Sequence, residues 1–180
     1  MKATVCAGSF HLLLIDFRGS VWCSGNNEEY QLGLDSAHVE RNTFEKIHRL
    51  HRIVHVSAGS YSSHLLDSEG VVWNCGRFVN GSTLVAKPSK DQFLPRITSI
   101  YSHSLSSLFL DDEGFVWSYG SNVFGELGLG DKVERRDKPV KIENLPFITA
   151  VSGGFEHSLF LDIEGDVWTW FKCQWATRIG

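Results

Sequence analysis

The sequence lacks the cysteine patterns that mark secreted and zinc-binding proteins. Its 180 residues include four cysteines but no Cys-x-x-Cys pair. The spacing therefore predicts neither a zinc knot nor a disulfide framework, and it favours a reducing, intracellular compartment, cytoplasmic or nuclear. The four cysteines are Cys6, Cys23, Cys75 and Cys173.

Long apolar runs are also missing. No run approaches the roughly 18 apolar residues of a membrane span, and Gly8, Ser9 and His11 interrupt the apolar N-terminal segment. We therefore predict no membrane partner and do not interpret the N-terminus as a signal peptide. The formal net charge of −4 argues against a wide nucleic-acid-binding face, so direct binding to nucleic acid is not expected.

The common motifs of catalytic chemistry are absent as well. The sequence contains no Gly-x-Ser-x-Gly, P-loop, dinucleotide fingerprint, paired catalytic carboxylates or Cys–His nucleophile signature. It therefore predicts no bond-making enzyme activity, no catalytic residue and no cofactor.

Two clusters of polar residues have plain interpretations. His48, His51 and His55 have the density of a metal site, but they would share a face only on a helix. The neighbouring Ile53 and Val54 favour a strand, so we predict no metal there. A basic run further on is interpreted as a solvated loop, because acidic residues interleave with it. This run contains Lys132, Arg135, Arg136 and Lys138 among Asp131, Glu134 and Asp137.

The sequence is organised around a hairpin that occurs four times. Each copy has an aspartate, a glycine three residues later and a Val-Trp pair, and the glycines lie 51, 44 and 51 residues apart. This period indicates one supersecondary unit used four times. We interpret its residues as structural, with the glycines in tight turns and the tryptophans packed between units. They are Gly19, Trp22, Gly70, Trp73, Gly114, Trp117, Gly165 and Trp168.

Further strands flank each hairpin. A short Val- or Ile-containing segment begins 11 residues before each aspartate, and apolar strands are predicted at 12–15, 64–66, 108–110 and 159–161. Residues 44–47 and 138–142 predict a fourth strand in their units. The linker 77–96 carries Pro88 and Pro95 and predicts a loop, with a weak strand at most. Helical periodicity is faint and confined to 40–52.

Four strands per unit at this period are typical of a β-propeller blade. A β-sandwich does not require near-identical turns at a fixed period, and the coil of a β-solenoid is usually shorter. We therefore predict an all-β chain of propeller blades, as a single repeat domain over residues 1–180. The units are placed at about 1–42, 43–90, 91–137 and 138–180.

The segment after the tryptophan carries a family resemblance. Unit three continues as Asn122-Val123-Phe124-Gly125-Glu126-Leu127-Gly128, and unit one as Asn27-Glu28-Glu29-Tyr30-Gln31-Leu32-Gly33. With His11 and His157 ahead of the apolar strands, this pattern resembles the repeat of the regulator of chromosome condensation family. The resemblance covers nearly the whole chain. It implies four-stranded blades of that type, about 3.5–4 of them, in an incomplete ring, because propellers of the family close with seven.

Physical roles can be given to the polar residues of the repeat. Asn27 and Asn122 are predicted to cap their loops by side chain to backbone hydrogen bonds. His11 and His157 are predicted to satisfy buried backbone groups. The sequence departs from the family pattern in unit two, which has no Leu-Gly-Leu segment, and in unit four, which lacks the glycine and asparagine after Trp170.

These features predict a non-catalytic protein-interaction scaffold that presents loops to a protein partner. The candidate partner-binding residues are Glu28, Glu29, Tyr30, Phe124, Glu126 and Asp131. The three glutamates among them could form an acidic rim for a basic partner. The open edges of a half ring predict self-association as a homo-oligomer. The resemblance also implies two alternatives: a guanine-nucleotide exchange factor for a Ran-type small GTPase, or a regulatory segment of a larger signalling or ubiquitin-ligase protein.

Overall fold

The computed structural model describes residues 3–35, 38–78, 84–171 and 174–179, and in these residues it contains sixteen β-strands and no helix. They form four antiparallel sheets of four strands, each made of consecutive strands in chain order. β-Branched and aromatic residues bounded by glycine, aspartate and serine favour such short strands. The predicted all-β propeller-blade architecture is therefore confirmed.

The strands of the first two sheets, which we call the first and second blades, are as follows. The first blade contains β1 (Thr4–Ala7), β2 (His11–Ile15), β3 (Val21–Asn26) and β4 (Glu40–Lys46). The second contains β5 (Ile53–Ala58), β6 (Ser62–Asp67), β7 (Val72–Arg77) and β8 (Leu84–Lys90).

The third and fourth blades repeat this order. The third contains β9 (Ile97–His103), β10 (Ser106–Asp111), β11 (Val116–Ser121) and β12 (Arg135–Lys141). The fourth contains β13 (Ile148–Gly154), β14 (His157–Asp162), β15 (Val167–Phe171) and β16 (Gln174–Ile179). Among the described residues no helix is long and apolar enough to cross a bilayer.

The second strand of each blade divides its side chains between the two neighbouring blades, because alternate residues point to opposite faces. In β2, His11, Leu13 and Ile15 are buried, and the last two belong to a core that includes residues of the second blade. Leu12 lies on the other face, where the described chain places no preceding blade, and it is 39% exposed. We call this the open face of the first blade.

The blades follow one another in an open arc rather than a closed ring, over the residues that the structure describes. Inner strands of successive blades pack together, β1 and β2 on β5, β5 and β6 on β9, and β9 and β10 on β13. Three hydrophobic cores lie along the arc, one at each junction between blades. The predicted incomplete ring is confirmed.

Two details of the strand prediction needed correction. The strands predicted at 44–47 and 138–142 are present but begin earlier, as β4 and β12. The predicted loop in 77–96 contains the seven-residue strand β8, which pairs with β7 along its length with one register shift. Pro88 is tolerated there because β8 is an edge strand. The faint helical periodicity of 40–52 corresponds to β4 and a loop.

Candidate partner-binding face

Each blade is closed by the same aspartate–tryptophan contact at the hairpin between its second and third strands. The indole Nε1 donates to the aspartate Oδ2, and two backbone N–H groups of the turn donate to Oδ1. The glycine three residues after the aspartate has φ between 78° and 90°, which favours glycine. The Nε1–Oδ2 distances are 3.1 Å for Trp22–Asp16, 2.9 Å for Trp73–Asp67, 2.9 Å for Trp117–Asp111 and 2.7 Å for Trp168–Asp162.

The tryptophans also pack towards the preceding blade. Trp73 packs on the core between the first and second blades, Trp117 on the next, and Trp168 on the last. Trp22 has the same bond to its aspartate, but no preceding blade lies beside it in the described chain. The repeated hairpin therefore has a structural role, which is to close its own blade.

The loop after the third strand is closed from within in the first and third blades. Leu32 N donates to Asn27 Oδ1 over 3.1 Å, and Asn27 Nδ2 donates to the His38 carbonyl. Asn122 makes the matching bonds, with Leu127 N at 3.0 Å and the Val133 carbonyl at 2.9 Å. The predicted capping role of both asparagines is confirmed.

A serine of the following blade holds each of these loops across the junction. Ser63 Oγ donates to the Gln31 carbonyl over 2.7 Å, and Ser158 Oγ donates to the Glu126 carbonyl over 2.6 Å. The leucine that follows each carbonyl, Leu32 or Leu127, is completely buried.

The junction between the second and third blades uses a histidine instead. The fully buried His64 lies between Asn74 Oδ1, 2.7 Å from Nδ1, and Ser107 Oγ, 2.8 Å from Nε2. Because Asn74 Nδ2 donates to Asp91 Oδ2, its Oδ1 accepts from His64 Nδ1–H, and Nε2 accepts from the hydroxyl. Burial lowers the pKa of His64 to about 4. Little in the sequence indicates these hydrogen bonds, since His64 lies in an apolar strand.

The two histidines of the repeat do not bond to the backbone groups for which they were predicted. His11 Nε2 lies 2.8 Å from Ser63 Oγ, a side chain of the next blade, and burial lowers its pKa to about 4. The ring of His157 lies over Gly154, where an added Cβ would be 2.2 Å from the ring. His11 therefore contacts a side chain of the next blade, whereas His157 packs on its cross-strand neighbour Gly154 in the same hairpin.

The loops of successive blades lie side by side along one face of the arc, which we call the loop face. The turns between the first and second strands lie there, beside the loops that follow the third strands, as the Asn26 N–H to Phe10 carbonyl bond shows. Ser9 Oγ and Ser60 Oγ are 2.8 Å apart, and Ser60 N donates to the Ser104 carbonyl. These bonds fix the turns of three blades relative to one another.

Exposed aromatic side chains stand on this face. Phe10, Phe124 and Phe155 are 53%, 40% and 65% exposed. Phe10 stacks on Tyr61 at 5.5 Å between ring centroids, and the Arg77 guanidinium covers Tyr61 at 4.7 Å. Large exposed aromatic residues on a fixed framework are typical of protein-binding surfaces.

The predicted partner-binding residues all lie in the loops of this face, with unequal availability. Glu28 is exposed, and Glu29 forms an ion pair with Arg77 at 3.2 Å. Tyr30 is half-buried and has φ 61°. Phe124 is 40% exposed.

Glu126 does not contribute to an acidic rim. It is 5% exposed, and its Oε2 accepts a bond from Phe124 N over 2.8 Å, as Gln31 Oε1 accepts from Glu29 N in the first blade. Asp131 likewise serves its own loop, since it accepts from Val133 N and pairs with Arg136. The rim is thereby reduced to the two glutamates of the first blade.

The remaining polar clusters lie apart from the loop face aromatics. His55 is on β5, whereas His48 and His51 lie in the preceding loop. The basic run predicted as a solvated loop lies largely on the edge strand β12, and that part of the prediction is wrong; Arg135 pairs there with Asp137, and Arg136 with Asp131. Cys6, Cys23 and Cys75 are free thiols, and Cys173 lies outside the described residues.

A chain of four-stranded blades joined by loop-to-serine contacts belongs to the β-propeller class, and comparison with known proteins specifies the kind. The sequence model of the Regulator of chromosome condensation (RCC1) repeat matches residues 18–66 and 113–161, together just over half of the chain. A second model of the same repeat matches residues 3–31. The chain therefore belongs to the RCC1 repeat family. No curated protein sequence matches it.

Solved structures resemble the chain over nearly its whole length. Yeast RCC1 (Prp20), bound to Kap60, is 21% identical with a TM-score of 0.81, and the match covers 98% of this chain and 48% of that one. Prp20p from Saccharomyces cerevisiae, described with its binding properties to Gsp1p and histones, is 20% identical with a TM-score of 0.79, covering 98% and 50%. Human WBSCR16 is 19% identical with a TM-score of 0.80, covering 93% and 46%. The chain thus spans about half the length of these structures.

Proposed function

We propose that the chain is a non-catalytic protein-interaction scaffold and that its partner binds the loop face. The observation that carries this proposal is the set of exposed aromatic residues on turns held rigidly across blades. Phe10 is supported by Tyr61 and Arg77, and Phe124 lies in a loop that Ser158 of the next blade holds. Such residues lose little conformational entropy on binding, because their framework is already ordered.

Capture of partners from cytoplasmic and nuclear extracts tests this proposal. Phe10→Ala and Phe124→Ala should each reduce the recovery of the same protein, since truncating an anchoring aromatic residue costs about 1 kcal/mol or more of binding free energy. Phe17→Ala is the matched control. Phe17 is 68% exposed but lies in the hairpin between β2 and β3, at the other end of these strands from the loop face. Equal recovery by all three variants, with unchanged thermal stability, would overturn the assignment of the loop face.

A second candidate is exchange activity towards a Ran-type small GTPase. It is favoured by the likeness to Prp20p, which was described with its binding to Gsp1p, and by the acidic Glu28 and Glu29 on the loop face. Exchange requires a loop that stabilises the nucleotide-free GTPase, not a nucleophile. The test is release of labelled GDP, with Glu28→Lys as the variant expected to slow it. No release at high protein concentration would eliminate exchange and leave the scaffold.

The third candidate, a regulatory segment of a larger signalling or ubiquitin-ligase protein, is one that membership of the repeat family also allows. Capture experiments distinguish it, because a regulatory segment would recover the partner only when it is joined to the larger protein. Retention of the same partner by the 180-residue chain alone argues for an independent scaffold.

We also propose that the chain self-associates through its open blade faces. On the first blade, Val5 and Leu12 are 67% and 39% exposed, and on the fourth blade Leu161 is 38% exposed. Leu12 stands at the position that Ser63 and Ser158 occupy in blades that have a predecessor. An apolar residue in place of the joining serine favours contact with an apolar surface.

A further inference from the structure

A cleft of about 490 Å³ opens on the outer rim between the second and third blades. One wall is the edge strand β8 with the segment after it, and the other is the edge strand β12. Phe78 and Tyr119 lie at its inner end and Phe93, Asp137, Lys138 and Pro139 along its sides. The cleft is separate from the exposed aromatic residues of the loop face.

The junction between the first and second blades shows what occupies the corresponding place. There the segment Gly33–Asp35 of the first blade lies against β8 of the second. Asp35 N donates to the Ala86 carbonyl over 2.9 Å, and the Asp35 carboxylate pairs with Lys87 at 2.8 Å. Gly33 fits closely, since an added Cβ would lie 3.1 Å from the Pro88 ring.

The two walls are equivalent in register. Gly76 pairs with Val85 in the second blade, and Gly120 pairs with Arg136 in the third. Ala86, Lys87 and Pro88 therefore correspond in order to Asp137, Lys138 and Pro139. The cleft thus presents the same Lys-Pro strand positions that bind Gly33–Asp35 at the first junction.

Lys138 differs from Lys87 in having no acidic partner among the described residues. Its Nζ lies 4.5 Å from the centre of the Phe93 ring. The nearest acidic residues on the walls are engaged elsewhere: Asp137 pairs with Arg135, and Asp91 accepts bonds from Asn74 Nδ2, Phe93 N and Leu94 N. The cleft therefore offers a cation above an aromatic wall.

The inner end of the cleft is closed by aromatic rings. Phe78 and Tyr119 are 6.2 Å apart between centroids, and both rings lie within 6 Å of His64. At the other two junctions the corresponding interior holds the loop leucines Leu32 and Leu127. The aromatic cluster fills this interior and leaves the outer part of the slot as a cleft whose walls carry both aromatic and charged residues.

We propose that this cleft binds an extended segment of a partner protein that carries a small residue, a leucine and a carboxylate in succession, as Gly33–Asp35 does. The small residue passes Pro139, the leucine contacts Phe93 and Tyr119, and the carboxylate pairs with Lys138. The site goes beyond the proposed function of the loop face, because it lies on the rim and recognises an acidic linear motif.

A peptide with the sequence of residues 30–35, Tyr-Gln-Leu-Gly-Leu-Asp, capped at both ends and labelled with fluorescein, is the probe. Fluorescence anisotropy with the full chain should show saturable binding. Lys138→Met should raise Kd about two- to fivefold, the range expected for an exposed ion pair. Lys132→Met is the matched control, since Lys132 is an exposed lysine of the neighbouring loop, and should leave Kd unchanged. The peptide ending in Asn should bind as weakly to the native protein as the acidic peptide binds to Lys138→Met.

A second variant locates the site independently of charge. Ser89 is exposed on the β8 wall, and Ser89→Trp fills the cleft without entering the core, so it should abolish binding while the melting temperature is retained. Binding that survives Ser89→Trp would overturn the proposal. So would equal affinity of the Lys138→Met and Lys132→Met proteins, or anisotropy that does not saturate at millimolar protein.

Discussion

Ser107 in the third blade donates its hydroxyl proton to Nε2 of His64 in the second, 2.8 Å away, and this bond joins the two central blades. In this direction of donation the ring is neutral, because a protonated imidazole has no acceptor and would instead donate Nε2–H to the serine oxygen. Acid therefore affects this junction, and also the first one, where His11 Nε2 lies 2.8 Å from Ser63 Oγ.

The free energy of unfolding should fall as the pH drops from 6.5 towards 4. Burial lowers the pKa values of His11 and His64 from 6.5 to about 4, so between these values the unfolded chain binds protons that the folded chain excludes. The free energy of unfolding has its full value above pH 6.5, and protonation linked to each histidine should reduce it by about 2 kcal/mol at pH 5. Urea unfolding at pH 7, 6 and 5 measures the loss.

The control for this prediction is His64→Leu, since leucine occupies the same strand position in the first and third blades as Leu13 and Leu108. This variant should lose the His64 part of the pH dependence and retain that of His11, together with the contributions of His55 and His103, whose pKa values burial also lowers. Asp16 and Asp162 do not interfere, because their pKa values are lowered below 3.8 and they titrate outside this window. An unchanged pH dependence in the variant contradicts the account.

Removal of the aspartate of one repeated hairpin should destabilise its blade. Asp111→Ala deprives Trp117 Nε1 and the N–H groups of Glu113 and Phe115 of their acceptor, so unfolding should cost about 2–3 kcal/mol less. Asp112→Ala, which breaks only an exposed ion pair to Arg96 at 3.5 Å, should change stability by at most about 0.5 kcal/mol. Chemical denaturation compares the free energies of unfolding of the two variants. Equal losses would refute the structural role of the hairpin aspartate.

The buried leucine of the third-blade loop should be a strong determinant of stability. Leu127 is 0% exposed, so Leu127→Ala leaves a cavity between blades and should cost about 2–5 kcal/mol. Val123→Ala in the same loop is the control, because Val123 is 58% exposed, and it should be nearly neutral. Thermal melts of both proteins give the answer; a small effect of Leu127→Ala would mean that the loop is not packed between the blades.

Self-association should depend on the open face of the first blade. Leu12→Lys places a charge in a surface that must lose water on assembly, so sedimentation velocity at micromolar concentration should show it dissociated where the native chain is assembled. Val133→Lys, at a loop residue that is 47% exposed, should not alter assembly. A native chain that sediments as a monomer, or an assembled Leu12→Lys variant, would refute self-association through this face.

The local fold could be predicted from the sequence because the determinants are local and repeated. An aspartate, a glycine and a tryptophan at fixed spacing specify one hairpin, and four copies specify blades. The junctions could not be predicted in the same way. His64 pairs with a serine 43 residues away, and no periodic pattern distinguishes it from the apolar residues at the same strand position.

The candidate site was predicted only in part for the same reason. Glu126 and Gln31 are polar residues in an exposed loop by sequence, but their side chains accept backbone bonds within the loop and both are buried. Phe10 became a candidate only when the structure stacked it on Tyr61, 51 residues later. The strand β8 was predicted as a weak strand at most, because Pro88 argues against a strand unless its edge position is known.

The serine contacts that hold the loops run one way along the chain, since each of these loops is held by a serine of the following blade. The third-blade loop that displays Phe124 is held against the folded fourth blade by Ser158, in addition to its internal bonds. In a chain of nearest-neighbour units, fraying begins at the terminal unit and passes inward. A partner that engages Phe124 therefore selects molecules in which the fourth blade is formed, and its binding should slow amide hydrogen exchange in β14, a strand that it does not contact.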